Sequence, residues 1–339
     1  MDYRQSGVDI EAGNEVVRRI RALARGTFTP AVLSDIGSFG GLFRLAPGLN
    51  EPVLVASADG VGTKLKVAFL AGSHGTVGVD LVNHCVNDIL VQGATPLFFL
   101  DYLATGRLAP EVVEQIVAGM ARACADNGCA LLGGETAEMP GFYQPGEYDL
   151  AGFIVGVVER RSIIDGSRIA SGDVLIALPA SGLHTNGYSL ARRIVFERLG
   201  LSVDRHVAEL GRSVGEALLE PHRSYLKSLK PLLGTGLVKG MAHITGGGIT
   251  DNLPRILPEG TSARIDTTSW RSPPVFEWLR REGQVPVDDM RRTFNMGVGL
   301  IAVSAWSDAG RVFELLTQGG DQPWVIGRIE AGDRRVMYG

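Results

Sequence analysis

Ala58-Asp59-Gly60-Val61-Gly62-Thr63-Lys64-Leu65 follows directly on the apolar run Val53-Leu54-Val55-Ala56, so a strand ends in a carboxylate, two glycines, a hydroxyl and an ammonium. A carboxylate ligates Mg²⁺, glycines let backbone N–H groups approach phosphate oxygens, and a lysine adds compact positive charge. The spacing is neither a Walker A loop nor G-x-G-x-x-G. Taken alone, the residues also fit a plain Asp59-Gly60 turn followed by a solvated Lys64. Glycine clusters at Gly40-Gly41, Gly60/Gly62, Gly133-Gly134, Gly246-Gly247-Gly248 and Gly297/Gly299, several of them at the ends of strand-like runs. That is where α/β proteins bind phosphorylated ligands.

Periodicity extends this α/β reading along the chain. It predicts helices at 11–25, 79–92 and 110–127 and strands at 53–57, 97–103, 129–132 and 149–158. The polar stretch Gly166 to Asp173 marks a boundary, giving units 1–168 and 169–339. Beyond it, strands at 174–178, 240–244, 263–265, 299–303 and 324–329 alternate with helices at 188–199, 223–233, 251–257, 275–282 and 308–318.

With 339 residues, two domains are the default expectation. The net charge of −4 and the scattering of the 33 basic residues give no nucleic-acid footprint. No apolar run reaches the length of a membrane span, and Met1 to Gln5 lack the apolar core of a signal peptide, so a cytoplasmic protein is expected. Three cysteines without a C-x-x-C pair fit reduced, buried thiols.

On a helical wheel, Asp80, Asn83, His84, Asn87 and Asp88 share one arc opposite Leu81, Val82, Cys85, Val86, Ile89 and Leu90. Solvated helix faces favour Glu, Lys, Gln and Arg, so an arc of short donors and acceptors reads as a wall facing a ligand. Glu135, after Gly133-Gly134, joins Asp59 and Asp88 as a candidate oxygen ligand, although a turn with exposed acids accounts for it equally well. In the second half, His184-Thr185-Asn186-Gly187 before a helix and Thr245-Gly246-Gly247-Gly248 between a strand and a helix resemble anion-binding nests. Ordinary capped helix starts are the plainer alternative. No nucleophile elbow or H-E-x-x-H helix is present.

Several of these stretches, in this order, resemble phosphoribosylformylglycinamidine cyclo-ligase, the aminoimidazole ribonucleotide synthetase family. They are Ser6 to Gly13, Asp59 to Leu65, Cys85-Val86-Asn87-Asp88-Ile89-Leu90, Pro96 to Tyr102, Gly133-Gly134-Glu135-Thr136-Ala137-Glu138-Met139-Pro140-Gly141 and Thr245 to Gly248. Thr185 stands where the family has serine, and Ser38 to Gly41 fall in a variable loop.

The resemblance implies an N-terminal mixed sheet with helices that pairs with a second subunit into a barrel, followed by a C-terminal α/β domain. It also implies ATP, Mg²⁺, a homodimer, and closure of the imidazole ring of formylglycinamidine ribonucleotide in purine biosynthesis. Mapped onto this chain, it places the metal on Asp59, Asp88 and Glu135 and the triphosphate on Gly40, Gly41, Gly60, Gly62, Thr63 and Lys64. The ribose phosphate falls on His184, Thr185, Asn186, Gly187, Thr245, Gly246, Gly247 and Gly248, and Lys64, Asn87, Asp101 and His243 stand at the reacting centre.

Related enzymes fit less well. Selenophosphate synthetase expects a reactive cysteine near the start, and the first here is Cys85; the hydrogenase maturation protein expects a terminal cysteine, and this chain ends Met337-Tyr338-Gly339. The amidotransferase that makes the substrate matches Leu97 to Tyr102 more poorly. A nucleotide-sensing dimer has no need of the second-half loops.

Overall fold

The computed structural model describes residues 10–339; the Ser6 to Asp9 part of the family match lies outside the described residues. The first unit runs α1 (Ile10–Arg25), β1 (Pro52–Gly60), α2 (Leu65–Ala71), α3 (Gly75–Leu90), β2 (Thr95–Thr105), α4 (Pro110–Asp126), β3 (Ala130–Glu138) and β4 (Tyr148–Glu159). Its sheet has the order β1-β4-β2-β3. β4 pairs antiparallel with β1 and β2, and β2 pairs parallel with β3.

The parallel pair needs a crossover, which α4 supplies, with Pro110 in its first turn where a missing N–H costs nothing. β1 and β3 run past the expected strands, because Asp59-Gly60 and Gly133 to Glu138 continue the ladders rather than turning away. α3 and α4 cross so closely that a Cβ at Gly78 would overlap the Ile116 carbonyl, and one at Gly119 the Gly75 carbonyl. β4 alternates buried Leu150, Ile154 and Val158 with half-exposed or exposed Ala151, Phe153, Val155 and Val157. Leu54 on β1, 59% exposed, lies on that same open face opposite Val157. The other face is covered by α3 and α4.

The second unit contains β5 (Val174–Pro179), α5 (Tyr188–Arg192), a small hairpin of β6 (His206–Val207) and β7 (Arg212–Ser213), α6 (Val214–Leu218), α7 (Leu226–Leu229) and β8 (Val238–His243). Then come α8 (Gly248–Asn252), β9 (Thr261–Ile265), α9 (Pro274–Gly283), α10 (Val287–Thr293), β10 (Val298–Ser304), α11 (Ala309–Gln318), β11 (Trp324–Ala331) and β12 (Val336–Tyr338). The sheet order is β12-β9-β11-β5-β10-β8, antiparallel except for β12 on β9. β10 is buried along its whole length, since residues from its two faces enter two different apolar clusters.

The structure differs from the periodicity reading in local detail. The helix expected over 188–199 widens into a π-helical turn at Arg193–Arg198. The short helices α2, α6 and α10 carry too few turns to register as periodic; α6 is held by a reciprocal Ser213–Glu216 capping box.

Gly119→Ala should wedge α3 from α4 and cost about 1–3 kcal/mol of stability, read as a lower urea midpoint. An unchanged midpoint would mean that the two helices are not packed this closely.

Candidate functional site

The polar arc of α3 divides into two parts. Asp80, Asn83 and Asn87 are buried against the 220–225 segment of the second unit. Asp80 Oδ1 accepts from the His222 backbone N–H at 2.6 Å, and Asn83 Nδ2 donates to the His222 carbonyl at 2.7 Å. Asn87 donates to the Arg223 carbonyl at 2.9 Å and accepts from the Tyr225 N–H at 3.0 Å. The wall expected to face a ligand is here largely a wall between units, and Asn87 is bound into it.

Lys64 joins the same wall. The lysine expected on a triphosphate is fully buried, and its Nζ donates to Asp80 Oδ1 (2.9 Å) and to the carbonyls of His184 (3.1 Å) and Glu220 (2.7 Å). Burial pulls the Lys64 ammonium down and pushes the Asp80 carboxyl up, and each is offset by the other's charge. The 3₁₀ turn Gly62–Lys64 carries this side chain inward, away from any cleft.

His84 and Asp88, one turn apart, face a cavity of about 610 Å³ between the units, together with Ser57, Asp59, His243 and Thr245. His84 Nε2 lies 2.7 Å from Asp59 Oδ2 and 3.8 Å from Asp88 Oδ2, and its Nδ1 lies 2.7 Å from Thr185 Oγ1. His243 Nδ1 lies 2.8 Å from Asp88 Oδ1, and Ser57 Oγ donates to Asp88 Oδ2 at 3.0 Å. Burial alone would raise both carboxyls; the His84 hydrogen bond holds Asp59, and the His243 hydrogen bond holds Asp88, below the ordinary carboxylate value. His84 is likewise pulled down by burial, but Asp59 and Asp88 outweigh this and raise it. Burial lowers His184, His222 and His243.

Four of the six histidines meet here. The His184 and His222 rings stack with centroids 3.9 Å apart, and His222 Nε2 lies 3.1 Å from His243 Nε2. The sequence reading missed His222, a single histidine in an unremarked loop with no local pattern around it. His84 was visible on the wheel but had no assigned role.

The two glycine-bearing loops, 184–187 and 245–248, converge. A Cβ on Gly246 would lie 3.1 Å from Asn186 Oδ1, and Thr63 Oγ1 sits 3.2 Å from Ser189 Oγ at the start of α5. Asn252 Nδ2 donates to the carbonyls of Gly246 (3.0 Å) and Gly248 (2.9 Å), fixing the loop. His184 itself takes φ 61°, a left-handed conformation rare for a residue with a Cβ. Since α5 and α8 are each five residues long, the loops rather than long helix dipoles shape this region.

The remaining expected residues lie elsewhere. Glu135, Asp101, Gly40 and Gly41 line a separate cavity of about 730 Å³ that also reaches Phe153 on the open sheet face. β3 is three strands from β1, about 14 Å across the sheet, so within one chain Glu135 does not join Asp59 and Asp88. Burial pushes the Asp101 carboxyl up to about 7, helped by the Glu135 charge.

Residues 41–158 match the family of the AIR synthase related protein N-terminal domain, and residues 170–339 that of its C-terminal domain. The chain is 55% identical to a phosphoribosylformylglycinamidine cyclo-ligase of Sorangium cellulosum, with 99% of each chain covered. It is 56% identical to that of Myxococcus xanthus, covering 97% of this chain and 96% of the relative. Among solved structures, a thiamine-monophosphate kinase from Stenotrophomonas maltophilia superposes with a TM-score of 0.68 at 19% identity, covering 96% and 95% of the two chains. Hydrogenase maturation protein HypE in complex with ATP gives 0.64 at 19% identity, covering 95% and 90%. At that identity the likeness establishes the shared fold. No helix among the described residues is long and apolar enough to cross a membrane.

Lys64→Met should leave Asp80 as an uncompensated buried charge and cost about 3–5 kcal/mol, read by urea unfolding. Unchanged stability with lost nucleotide binding would instead put Lys64 on the phosphates.

Proposed function

The chain belongs to the phosphoribosylformylglycinamidine cyclo-ligase family and is an ATP-dependent ligase that closes the imidazole ring of formylglycinamidine ribonucleotide; we propose that it does so in the cleft between its two units. The observation that carries this reading is the convergence of Asp59, Asp88, His84 and His243 beside the paired loops 184–187 and 245–248. We divide the labour between an ATP-side unit, residues 1–168, and a substrate-phosphate unit, residues 169–339.

ATP phosphorylates the formamide oxygen, which converts a poor leaving group into phosphate. The amidine-side nitrogen then attacks the activated carbon and the ring closes. The chemistry asks for positioning and for control of negative charge more than for a protein nucleophile.

Asp59 and Asp88, held ionised in the cleft, suit a divalent cation that also takes phosphate oxygens. Mg²⁺ is the cation the family resemblance implies, and when bound it neutralises charge on the transferring phosphoryl group. Asn186, Gly187, Thr245 and Gly246 hold the ribose phosphate, and Thr63, at the junction of the units, sits between the two ligands. His243, held between Asp88 on one nitrogen and His222 on the other, is the polar contact we assign to the reacting centre. Lys64 and Asn87 act by holding the units together. Gly40, Gly41 and Glu135 serve a nucleotide position completed by a second copy, since their cavity opens on the uncovered sheet face. Exposed Leu54 and Phe153 on that face support a homodimer. We place the enzyme in the cytoplasm; separately, no helix among the described residues is long and apolar enough to cross a membrane.

Asp59→Asn should fold normally and lose ADP release that depends on formylglycinamidine ribonucleotide. Selenide, glutamine, or no second substrate should give none with the unaltered chain. Wild-type turnover in the variant would remove Asp59 from the cation site. The dimer is checked by light scattering: Phe153→Asp should turn a dimer at micromolar concentration into a monomer, and an unaltered chain that is already monomeric would refute the pairing.

A further inference from the structure

The cleft between the units is lined by more negative than positive permanent charge. Asp59, Asp88 and Asp165 of the first unit face it, and Arg255 is the one lysine or arginine among its lining residues. Other cations near the two loops are committed elsewhere. Lys64 is buried against Asp80, and Arg223 pairs with Asp321. The Arg291 guanidinium lies over the Tyr338 ring in a separate cavity of about 460 Å³ that shares no lining residue with the cleft.

Arg255 is placed by the same segment that forms the 245–248 loop. After α8, the 3₁₀ turn Leu253–Ile256 brings the chain back to the cleft. Asn252, buried before that turn, accepts on Oδ1 from Thr245 Oγ1 at 3.2 Å and from Arg255 Nη1 at 3.3 Å. Its Nδ2 holds the Gly246 and Gly248 carbonyls. Two donors meeting on one oxygen put the guanidinium beside the Thr245 hydroxyl. No carboxylate pairs with Arg255 among the described residues, and Asn252 takes only one of its N–H groups. The rest of the planar fork is left for an acceptor in the cleft.

The charges of the two walls divide the ligands between them. A phosphate approaches Asp59 and Asp88 only through a bridging cation, whereas no lining residue from Met241 to Ile256 is acidic. A phosphate monoester carries nearly two negative charges at neutral pH. Thr245, Asn186 and backbone N–H groups offer it neutral hydrogen bonds; Arg255 adds charge and a bidentate geometry. We infer that Arg255 grips the ribose phosphate and is the residue by which the enzyme selects the ribonucleotide over its dephosphorylated ribonucleoside. This rests on the reading that loops 184–187 and 245–248 hold that phosphate.

The test uses the full-length protein. Arg255 is exposed, so Arg255→Met should fold with an unchanged urea midpoint. It should raise the KM for formylglycinamidine ribonucleotide by about 10–100-fold, with kcat and the KM for ATP little changed. Arg255→Lys, which keeps the charge without the fork, should fall between. The deciding comparison is formylglycinamidine ribonucleoside: its kcat/KM, low in the unaltered protein, should be the same in Arg255→Met, because it has no phosphate to lose. An equal fall for both substrates would mean that Arg255 only holds Asn252 and the loop, and would overturn the inference. So would an unchanged ribonucleotide KM, or a rise confined to ATP, which would put the guanidinium on the triphosphate. In each of these cases a preference of the unaltered protein for the ribonucleotide leaves the loop reading standing. An unaltered protein that uses ribonucleoside and ribonucleotide equally well would overturn the inference and the loop reading together.

Discussion

The buried contact between α3 and the 220–225 segment, sealed by Lys64, is the constraint on which the rest of the structure depends. Asp80 and Lys64 are both withdrawn from water. Such a pair stabilises little by itself, because desolvation of two charges consumes most of their attraction. What it supplies is position. Lys64 meets three acceptors and Asp80 also receives a backbone N–H, so only one relative placement of the units satisfies every group. That placement brings Thr185 within 2.7 Å of His84 and His243 within 2.8 Å of Asp88.

The same helix serves two tasks because its period separates them. Asp80, Asn83 and Asn87 reach main-chain groups of the second unit, while His84 and Asp88, one residue further round, look into the cleft. Short side chains are required for the docking face: a glutamine or glutamate in place of Asn83 or Asp80 would hold the backbones too far apart for these bonds. Asn127 and Ser224 extend the network, with Ser224 donating to Asn127 and Asn127 to Asn83.

This explains what was legible in the sequence and what was not. The composition of the arc from Asp80 to Asp88 spoke against an ordinary wet surface, and most of the arc is buried. Short donors and acceptors, however, suit a polar interface between units as well as they suit a ligand, and nothing in one sequence separates the two. Long periodic elements such as α1, α4 and β4 were readable to within a residue or two. The extra length of β1 and β3 was not, because glycines that suggest turns also permit close strand pairing. The distance between Glu135 and Asp59 depends on strand order, a tertiary choice with no local signature. His222 matters through its partners Asn87 and His243, both remote in sequence.

The three consecutive glycines show how one motif can conceal several reasons. Gly248 is required by packing, since a Cβ there would overlap the Arg291 carbonyl. Gly247 is required by conformation: its φ of 96° lies in the left-handed region, so any side chain is strained whatever the space around it. Gly246 has neither constraint, and its nearest neighbour is Asn186 of the opposing loop. Only Gly246 therefore reports directly on room between loops 184–187 and 245–248. A bulky residue at Gly247 or Gly248 would disturb the backbone before it disturbed a phosphate, so the stretch that reads as one anion site is two structural glycines beside one that faces the opposing loop.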